Sequence, residues 1–315
     1  MKNKKGIILP AGEAAYARAA EILRGGGLVA LPTETVYGLA ADANNDAAVA
    51  RIYTAKGRPS HNPLIAHVLA PEDAELFADV SELARDLIEA FWPGPLTLVL
   101  TRSRRSISAA AGAGLPTIAI RCPDAPWRAA LKAAGLPGPL VMPSANRSGH
   151  VSPTSAAHVA EDLGDRVDLI IDGGLCTGGI ESTILKIDNN RATLLRPGTL
   201  PAESFAPYIS DLRLPENPNA VIAPGMLKSH YAPKASVRLN ALEKRAGETY
   251  LAFGQTDIEA DMNLSPTGDL AEAARNLYHA LRALDTAPVI AVAPIPMTGI
   301  GEAINDRLQR AAADR

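Results

Sequence analysis

The sequence predicts an α/β protein made of a larger first unit and a smaller second unit. Over the first two hundred residues, segments with helical spacing alternate with short apolar segments that are typical of buried strands. The composition changes near residue 201, because six prolines and few periodic apolar positions fall between residues 201 and 235. A second strand–helix alternation follows. We therefore expect folded units at 1–205 and 236–315, joined by a linker at 206–235 that is ordered by its contacts.

The helices of the first unit are predicted from their start and stop signals. Residues 12–24 run into three glycines, residues 45–56 begin with Asn and Asp capping chemistry, and residues 80–91 end at the break WPGP. A fourth helix fits 154–163. Strands are predicted between these helices at LVALPT, PLIAHVL, LTLVLTR, TIAIRCP, PLVMPSAN and DLIIDGG. The last two strands of the unit, STILKID and ATLLRPG, are expected to pair through a turn at 188–190.

The second unit shows a shorter version of the same alternation. ETYLAFG and PVIAVAPI are predicted strands, residues 269–285 have strong helical spacing, and a final helix fits GIGEAINDRLQRAAADR. Because parallel strands need a crossover connection, this βαβ order predicts a small Rossmann-like sheet.

Composition weighs against several classes of function. The formal net charge is −3 and aromatic residues make up 4%, whereas nucleic-acid-binding proteins usually carry a basic excess and aromatic stacking platforms. The two cysteines lie far apart in the sequence and form neither a metal motif nor a disulfide framework. No stretch is long and apolar enough for a signal-peptide core or a membrane span. We expect a soluble cytoplasmic protein with no membrane association.

Two polar segments follow predicted elements near the start of the chain. LPTETVYGLAADA places Thr35 among hydroxyl and carboxyl side chains at a strand end, which fits either the lining of a site or a capped turn. In KGRPSHNPLIAHV, Lys56 and Arg58 flank a glycine, and two fixed cations there suit a phosphate-rich ligand or belong to an ordinary surface loop. His67 lies inside the apolar strand that follows, where a core histidine is the plainer explanation.

Two further polar segments follow later. PSANRSGHVSPT carries Ser144, Asn146 and Ser152 just before a helix, so it is either an anion site or elaborate N-capping. Ser182 and Arg196 lie in a predicted hairpin, where surface hydroxyls are the alternative. The sequence contains no Walker A motif, no complete G-x-G-x-x-G after a strand, no G-x-S-x-G and no H-E-x-x-H. The scattered polar segments therefore indicate a concave basic cleft with cations for phosphates and hydroxyls for a small polar substrate.

Taken together and in order, these strings resemble one family. LPTETVYGLAADA, KGRP with NPL, WPGPLTLVL, TIAIRCP, PSANRSG with SPT, IDGG with ESTI, and LRPG are similar to the motifs of threonylcarbamoyl-AMP synthases, the YrdC-like enzymes. The linker string PGMLKSHYAPK and the second unit resemble the long, two-domain form. The resemblance covers roughly residues 12–310. It implies a YrdC/RibB-like twisted mixed sheet around a large positive concave surface.

The resemblance also implies roles for individual residues. The threonine-binding set would be Thr35, His67, Arg121 and Ser182, with Arg121 pairing with the amino acid carboxylate. Lys56 and Arg58 would be the catalytic cations and, with Ser144 and Asn146, would surround the phosphates. Further nucleotide contacts would come from Asn62, Thr117, Ser152, Arg196 and the linker residue Tyr231.

The implied reaction condenses L-threonine, bicarbonate or CO2, and ATP into threonylcarbamoyl-AMP and pyrophosphate. This makes the expected enzyme a nucleotidyltransferase that uses Mg²⁺ with its ATP and has no dedicated protein metal site. A downstream transferase complex would pass the threonylcarbamoyl group to an adenosine of tRNA. The linker would cover the cleft, and the second unit would hold that linker in place and help to dock the transferase partner.

Two other functions stay open on the sequence alone. One is a carbamoyl-adenylate site of the kind found in hydrogenase-maturation proteins, although those are longer and carry cysteine-rich zinc motifs. The other is an RNA-binding module that would use the concave face, and even a synthase could bind RNA weakly there. The negative net charge and the scarcity of aromatic residues weigh against a dedicated RNA-binding protein.

Overall fold

The structure is a computed structural model and describes residues 7–103, 107–217, 223–225 and 229–314. Within these ranges, eleven strands form one mixed sheet and four strands form a second, parallel sheet. This arrangement confirms the predicted α/β class with a large mixed sheet and a smaller unit. The helices are α1 (Glu13–Arg24), α2 (Asp46–Lys56), α3 (Glu82–Phe91), α4 (Trp127–Ala133), α5 (Ala156–Leu163), α6 (Leu270–Ala283) and α7 (Ile300–Ala312).

The large sheet has the strand order β1-β8-β2-β3-β7-β4-β6-β5-β9-β10-β11. Its strands are β1 (Ile7–Pro10), β2 (Val29–Leu31), β3 (Gly38–Asp42), β4 (Ile65–His67), β5 (Leu96–Thr101), β6 (Thr117–Arg121), β7 (Leu140–Val141), β8 (Leu169–Asp172), β9 (Thr183–Asp188), β10 (Arg191–Arg196) and β11 (Leu212–Arg213). The predicted hairpin is present, since β9 and β10 pair antiparallel across Asp188 and Arg191. The small sheet has the order β12-β15-β13-β14, formed by β12 (Ser236–Arg238), β13 (Glu248–Ala252), β14 (Met262–Asn263) and β15 (Val289–Val292).

Burial on both faces explains why the central strands read as continuous apolar runs. In β2, Val29 and Leu31 pack in the cluster that contains the apolar faces of α1 and α4. Ala30, between them, points to the opposite face and packs with residues of α2, α3 and α5. Because successive side chains of a strand alternate between faces, a strand covered by helices on both sides needs apolar residues throughout.

Three elements of the first unit were not predicted from the sequence. β1 is a short edge strand that pairs only with β8 in the described ranges. β3 lies within LPTETVYGLAADA, so this segment is a polar turn followed at once by a buried strand. α4 begins at Trp127, which is fully buried and donates from Nε1 to the Pro32 carbonyl oxygen at 2.6 Å. The predicted strand PLVMPSAN is regular only at β7, and an isolated antiparallel bridge between Gly38 and Ser144 continues the pairing as the chain enters the site.

The described residues of the predicted linker contact the first unit. The large sheet extends past residue 205, since β11 pairs with β10. Ala223 then packs onto an apolar patch of the sheet that includes Ile65 and Val99. Further on, Ala232 donates its backbone N–H to the Gly149 carbonyl oxygen at 2.9 Å. The linker therefore crosses the face of the sheet on which the polar segments open.

The two units share one hydrophobic core cluster. Val36, Val151 and Ile180 of the first unit pack with the buried faces of α6 and α7. Gly179, with a φ of 75°, lets the first unit approach α6 so closely that an added Cβ would lie 2.3 Å from the Arg275 Cα atom. Arg282 adds an ion pair with Asp162 at 2.7 Å. Such contacts fix the second unit against the polar segments of the first.

Two further features bear on the expected environment of the chain. None of the helices in the described ranges combines the length and the apolar character that a membrane crossing requires. Cys122 and Cys176 are both free and buried, and burial raises the pKa of their thiols to about 11 and about 12. Both thiols therefore remain protonated and act as small apolar side chains.

Replacing Leu277 with alanine should destabilise the shared core. Leu277 on α6 is fully buried among residues of both units, so Leu277→Ala removes apolar contacts and leaves a cavity. We expect the free energy of unfolding to fall by about 2–5 kcal/mol in urea titrations. The matched control is Leu242→Ala, because Leu242 is 78% exposed. Equal losses for the two variants would contradict the shared core.

Candidate active site

The predicted site residues converge because several strands and loops end at the same place. β4 and β6 are parallel neighbours whose last residues, His67 and Arg121, lie directly side by side. The chain segments before β9 and after β10 reach the same edge. Together they surround a cavity of about 60 Å³ that the linker residues Pro224, Gly225 and His230 close. Eight of the predicted residues line it: Thr35, Arg58, His67, Arg121, Ser144, Ser182, Arg196 and Tyr231.

Arg121 is held at one side of the cavity with a defined orientation. Its Nη1 donates to Thr35 Oγ1 at 2.9 Å, its Nε donates to the Gly94 carbonyl oxygen at 3.1 Å, and its Nη2 pairs with Glu34 Oε1 at 2.7 Å. Thr35 is fully buried and its hydroxyl also bonds to Thr33 Oγ1 at 2.8 Å. A planar guanidinium fixed on three sides can present its remaining face to a carboxylate.

Lys56 and Arg58 lie on either side of the C-terminus of α2. Gly57 caps the helix in the left-handed conformation and turns the chain, which places both cations on the same side of the turn. Lys56 Nζ donates to the carbonyl oxygens of Ser144 and Asn146 at 2.6 and 2.5 Å. Burial, and then the Arg58 charge, lower the pKa of Lys56 well below its usual value. Lys56 thus fixes the loop that carries Ser144.

Arg58 is 8% exposed and reaches into the cavity wall. Its Nη2 donates to Asn62 Oδ1 at 2.6 Å and to the Pro63 carbonyl oxygen at 2.8 Å. Burial lowers the pKa of Arg58 to about 10, so the group stays charged at neutral pH. Neither Arg58 nor Lys56 forms an ion pair with a carboxylate in the described ranges. Their positive charge is therefore balanced only by carbonyl and amide dipoles.

Ser182 and Arg196 form the opposite side of the cavity. Arg196 donates from Nη2 to the Ser182 carbonyl oxygen at 2.8 Å and from Nη1 to the Pro224 carbonyl oxygen of the linker at 3.1 Å. The Ser182 hydroxyl bonds to Thr97 Oγ1 at 2.8 Å. Burial lowers the pKa of Arg196 from its usual value, as it does for Arg58. This third cation connects the sheet directly to the linker.

Four other predicted residues lie behind the lining, and one lies apart. Lys56 and Asn62 support Ser144 and Arg58 as described, Asn146 donates to the carbonyl oxygens of Arg147 and His150, and Ser152 donates to Glu181. Thr117 is at the first residue of β6, opposite Thr101, whereas Arg121 is at the last. Thr117 is therefore separated from the cavity by the length of β6. It would contact a bound ligand only if that ligand extended along the sheet to the start of β6.

Several buried polar atoms of the site are left for a ligand. Among the described residues, Asn62 Nδ2, Asn146 Oδ1 and Tyr231 Oη are buried without a hydrogen-bond partner. Buried polar groups in folded proteins are almost always hydrogen-bonded, and leaving one unpaired costs free energy. All three belong to residues for which the family resemblance implies nucleotide binding. A ligand with both donors and acceptors can satisfy them.

Two histidines of the site are neutral. Burial, with a further contribution from the Arg121 charge, lowers the pKa of His67 to about 3. Burial likewise lowers the pKa of His230, in the linker, to about 3. His67 Nδ1 is 3.2 Å from the Ile65 carbonyl oxygen, which favours a proton on Nδ1 and leaves Nε2 as an acceptor. His67 can therefore accept a hydrogen bond from a substrate but adds no charge.

Sequence reasoning missed a group of residues around Glu181. Glu181 lines the cavity and bonds to Ser152 in the first unit and to Tyr278 and Arg307 in the second. Burial alone would raise the pKa of Glu181, but the charges of Arg307 and Arg196 hold it at about 2. One signal was present for Arg307, which falls on the apolar stripe of α7 with Ile304 and Leu308. Tyr278 gave no comparable signal.

Two protein-family models match the chain almost end to end. The model described as "Telomere recombination" matches residues 21–198, and the model described as "Threonylcarbamoyl-AMP synthase, C-terminal domain" matches residues 196–313. The fold and the two family matches place the chain in a class of two-domain proteins. In this class, a mixed sheet with a cationic cleft is followed by this C-terminal domain. Whole-chain comparisons agree with this class.

Curated relatives and a solved structure make the assignment narrower. The threonylcarbamoyl-AMP synthase of Pyrococcus abyssi is 40% identical over 321 residues, and the alignment covers 94% of each chain. The threonylcarbamoyl-AMP synthase of Bacillus subtilis is 39% identical over 345 residues, and the alignment covers 100% of this chain and 99% of the relative. The crystal structure of P. abyssi Sua5 complexed with L-threonine matches with a TM-score of 0.88 at 37% identity, covering 98% of this chain and 97% of that chain. The chain belongs to the threonylcarbamoyl-AMP synthase family.

The buried neutral state of His67 should make the protein sensitive to acid. Below pH 6.5 the unfolded chain binds a proton at this histidine that the folded protein accepts only near pH 3, so the free energy of unfolding falls as the pH falls. His67→Gln removes this contribution, which amounts to about 2 kcal/mol between pH 7 and pH 5. Urea unfolding at pH 7, 6 and 5 measures it. If the free energy of unfolding changed equally with pH in the unaltered protein and in His67→Gln, a lowered pKa of His67 would be contradicted.

Proposed function

We propose that the protein is an L-threonylcarbamoyladenylate synthase that condenses L-threonine, bicarbonate or CO2, and ATP. The observation that carries this proposal is the convergence of three buried guanidinium groups, those of Arg58, Arg121 and Arg196, on one cavity. An excess of buried positive charge suits a ligand with several anionic groups. ATP and an amino acid carboxylate together supply such groups, and a relative of similar fold is described as complexed with L-threonine.

Threonine would bind on the side of the cavity formed by β4 and β6. Arg121 is oriented by Glu34, Thr35 and the Gly94 carbonyl, and would bind the α-carboxylate of threonine. His67 and Ser182 flank this position and can both accept hydrogen bonds, which suits the amine and hydroxyl of threonine. Thr35 contributes its hydroxyl beside Arg121. The four residues of the predicted threonine set therefore lie around one small volume.

ATP would occupy the side formed by α2 and the loop before α5. Arg58 and Lys56 would neutralise the phosphates, with Ser144 and Asn146 on the loop that Lys56 fixes. Asn62, Ser152, Arg196 and Tyr231 would contact the rest of the nucleotide, and Thr117 would meet it only along the sheet. The orphaned atoms of Asn62, Asn146 and Tyr231 support this division, because each needs a polar partner.

The chemistry needs no protein nucleophile. The amine nitrogen of threonine bonds to the carbon of bicarbonate, and water leaves, giving an N-carboxylate. An oxygen of that carboxylate then attacks the α-phosphorus of ATP, and the bond from this phosphorus to the β-phosphate oxygen breaks and releases pyrophosphate. Positioning and charge stabilisation are the main contributions to phosphoryl and nucleotidyl transfer. Fixed cations and a water-excluding cavity are the features that the site offers.

ATP would enter as its magnesium complex, as is usual for nucleotide substrates. In the described ranges, no three His, Cys, Asp or Glu side chains group as metal ligands do. The carboxylate in the cavity lining, Glu181, already accepts hydrogen bonds from Ser152, Tyr278 and Arg307. Phosphate oxygens and water would therefore supply most of the magnesium ligands. The product would pass to a tRNA-modifying transferase.

Pyrophosphate release with ATP and bicarbonate tests the reaction directly. We expect release with L-threonine and little release with serine or glycine, because the site positions the side-chain hydroxyl and methyl group. Arg58→Ala and Arg121→Ala should each lower kcat/KM by about 100-fold or more, since each removes a buried charge that faces substrate.

The matched control is Arg18→Ala, which removes an exposed arginine that pairs only with Glu21 on α1 in the described ranges. Its rate should remain that of the unaltered protein. No release with any amino acid would remove the synthase proposal and would bring forward a carbamoyl-adenylate or RNA-binding function. Release that continues unchanged in Arg121→Ala would remove the threonine role of that arginine.

A further inference from the structure

One arginine of the second unit, Arg307, contacts residues that line the active site. Arg307 lies on α7 and is fully buried. Its Nε donates to Glu181 Oε2 at 2.7 Å, and its Nη2 donates to the Pro197 carbonyl oxygen at 3.0 Å. The same guanidinium lies 5.1 Å from the centroid of the Tyr231 ring, within range of a cation–π interaction. Arg307 therefore contacts both the wall of the cavity and the linker that closes it.

Glu181 connects Arg307 with residues that are expected to bind substrate. Its Oε1 accepts from Ser152 Oγ at 2.6 Å, and its Oε2 also accepts from Tyr278 Oη at 2.8 Å. The next residue in the chain is Ser182, whose hydroxyl lies in the cavity lining. The Glu181 carboxylate thus joins an expected nucleotide contact, Ser152, to two helices of the second unit.

The ring of Tyr231 packs against Tyr278 and Arg307. It stacks on the Tyr278 ring with centroids 5.7 Å apart and an angle of 26° between the planes, while Arg307 covers it. The backbone of Tyr231 has a φ of 61°, in the left-handed region that bulky residues rarely adopt. Because this conformation is unfavourable by itself, its surroundings must maintain it. Tyr278 and Arg307 are the side chains placed to do so.

We propose that Arg307 is a positioning residue of the reaction: it holds the Tyr231 ring over the cavity and, through Glu181, orients Ser152 toward the substrates. The choice of substrates rests on the proposed function, but the placement of the ring does not. The second unit accordingly forms part of the active site, because a side chain of α7 sets the geometry of the cavity.

A purely structural role is the main alternative. A buried ion pair is weak evidence for stability, because apolar residues of similar volume are often equally stable in its place. If Arg307 served only to join the units, any replacement that restores stability would restore activity. If it positions Tyr231, the ring will change its environment even in a stable variant. The two roles therefore separate when stability and ring placement are measured on the same proteins.

Fluorine NMR of protein labelled with 3-fluorotyrosine reports ring placement without turnover. The Tyr231 resonance is assigned by its loss in Tyr231→Phe. We expect Arg307→Met to shift or broaden this resonance and to lower kcat/KM for ATP by about tenfold or more, which corresponds to about 1.4 kcal/mol of transition-state stabilisation. The double variant Glu181→Gln with Arg307→Met removes both charges of the Glu181–Arg307 ion pair, so neither partner is left charged without the other. It should regain stability while the resonance and the rate stay altered.

Arg282→Met is the matched control. Arg282 also comes from the second unit and pairs with Asp162 of the first at 2.7 Å, but no bond joins it to Glu181 or Tyr231 in the described ranges. The Tyr231 resonance should remain in place and kcat/KM should remain within about twofold. A folded double variant with an unaltered Tyr231 resonance and unaltered kcat/KM would overturn the proposal. If the unaltered protein itself shows no threonine-dependent turnover, the proposed function fails, while the resonance comparison still decides the role of Arg307.

Discussion

The burial of positive charge without matching carboxylates is the constraint on which the rest of the site depends. Lys56, Arg58 and Arg196 are each less than 10% exposed, and backbone carbonyls and an amide satisfy their donors. Carbonyl dipoles supply hydrogen bonds but no net negative charge, so the electrostatic cost of burial is only partly offset. Burial is the main cause of the lowered pKa of Lys56 and of His67, and the neighbouring charges of Arg58 and Arg121 lower these pKa values further. An anionic ligand would supply the missing negative charge, so its binding would offset the electrostatic cost of burying these cations.

Such a charged cavity needs a rigid frame, because like charges would otherwise separate. The frame comes from the mixed sheet: β4 and β6 end in register at His67 and Arg121, and α2 ends at Gly57 between its two cations. Helices cover both faces of the central strands, so these strand ends move little relative to each other. The linker contributes Pro224, Gly225, His230 and Tyr231 to the cavity, and Arg196 binds the Pro224 carbonyl oxygen. The sheet thus supplies the cations, and the described linker residues supply the opposite wall.

The sequence predicts the elements with clear periodicity and the residues with recognisable motifs, and it fails where tertiary contacts decide. The helices α1, α2, α3, α6 and α7 and the β9–β10 hairpin were predicted because their patterns and caps are local. β3 was missed because it follows a polar turn without a break, and α4 because the burial of Trp127 depends on the distant Pro32 carbonyl. Arg307 and Tyr278 were missed as site residues because about a hundred residues or more separate them from Glu181 in the chain. A local pattern identifies a side chain type but not the long-range partner that gives it a role.

The cavity between the sheet and the linker is small. Its volume is about 60 Å³, and Gly225 and Tyr231 of the linker are among the residues that line it. Gly225 lies so close to Arg196 and Tyr231 that an added Cβ would be 2.5 Å from Tyr231 Oη and 2.7 Å from Arg196 Nη1. The Pro224 carbonyl that Arg196 now binds is a weaker partner than a phosphate oxygen, because it carries no full charge. Under the proposed function, a phosphate that replaced this carbonyl at Arg196 would displace the linker, and Tyr278 and Arg307 would remain as the surface on which the Tyr231 ring packs.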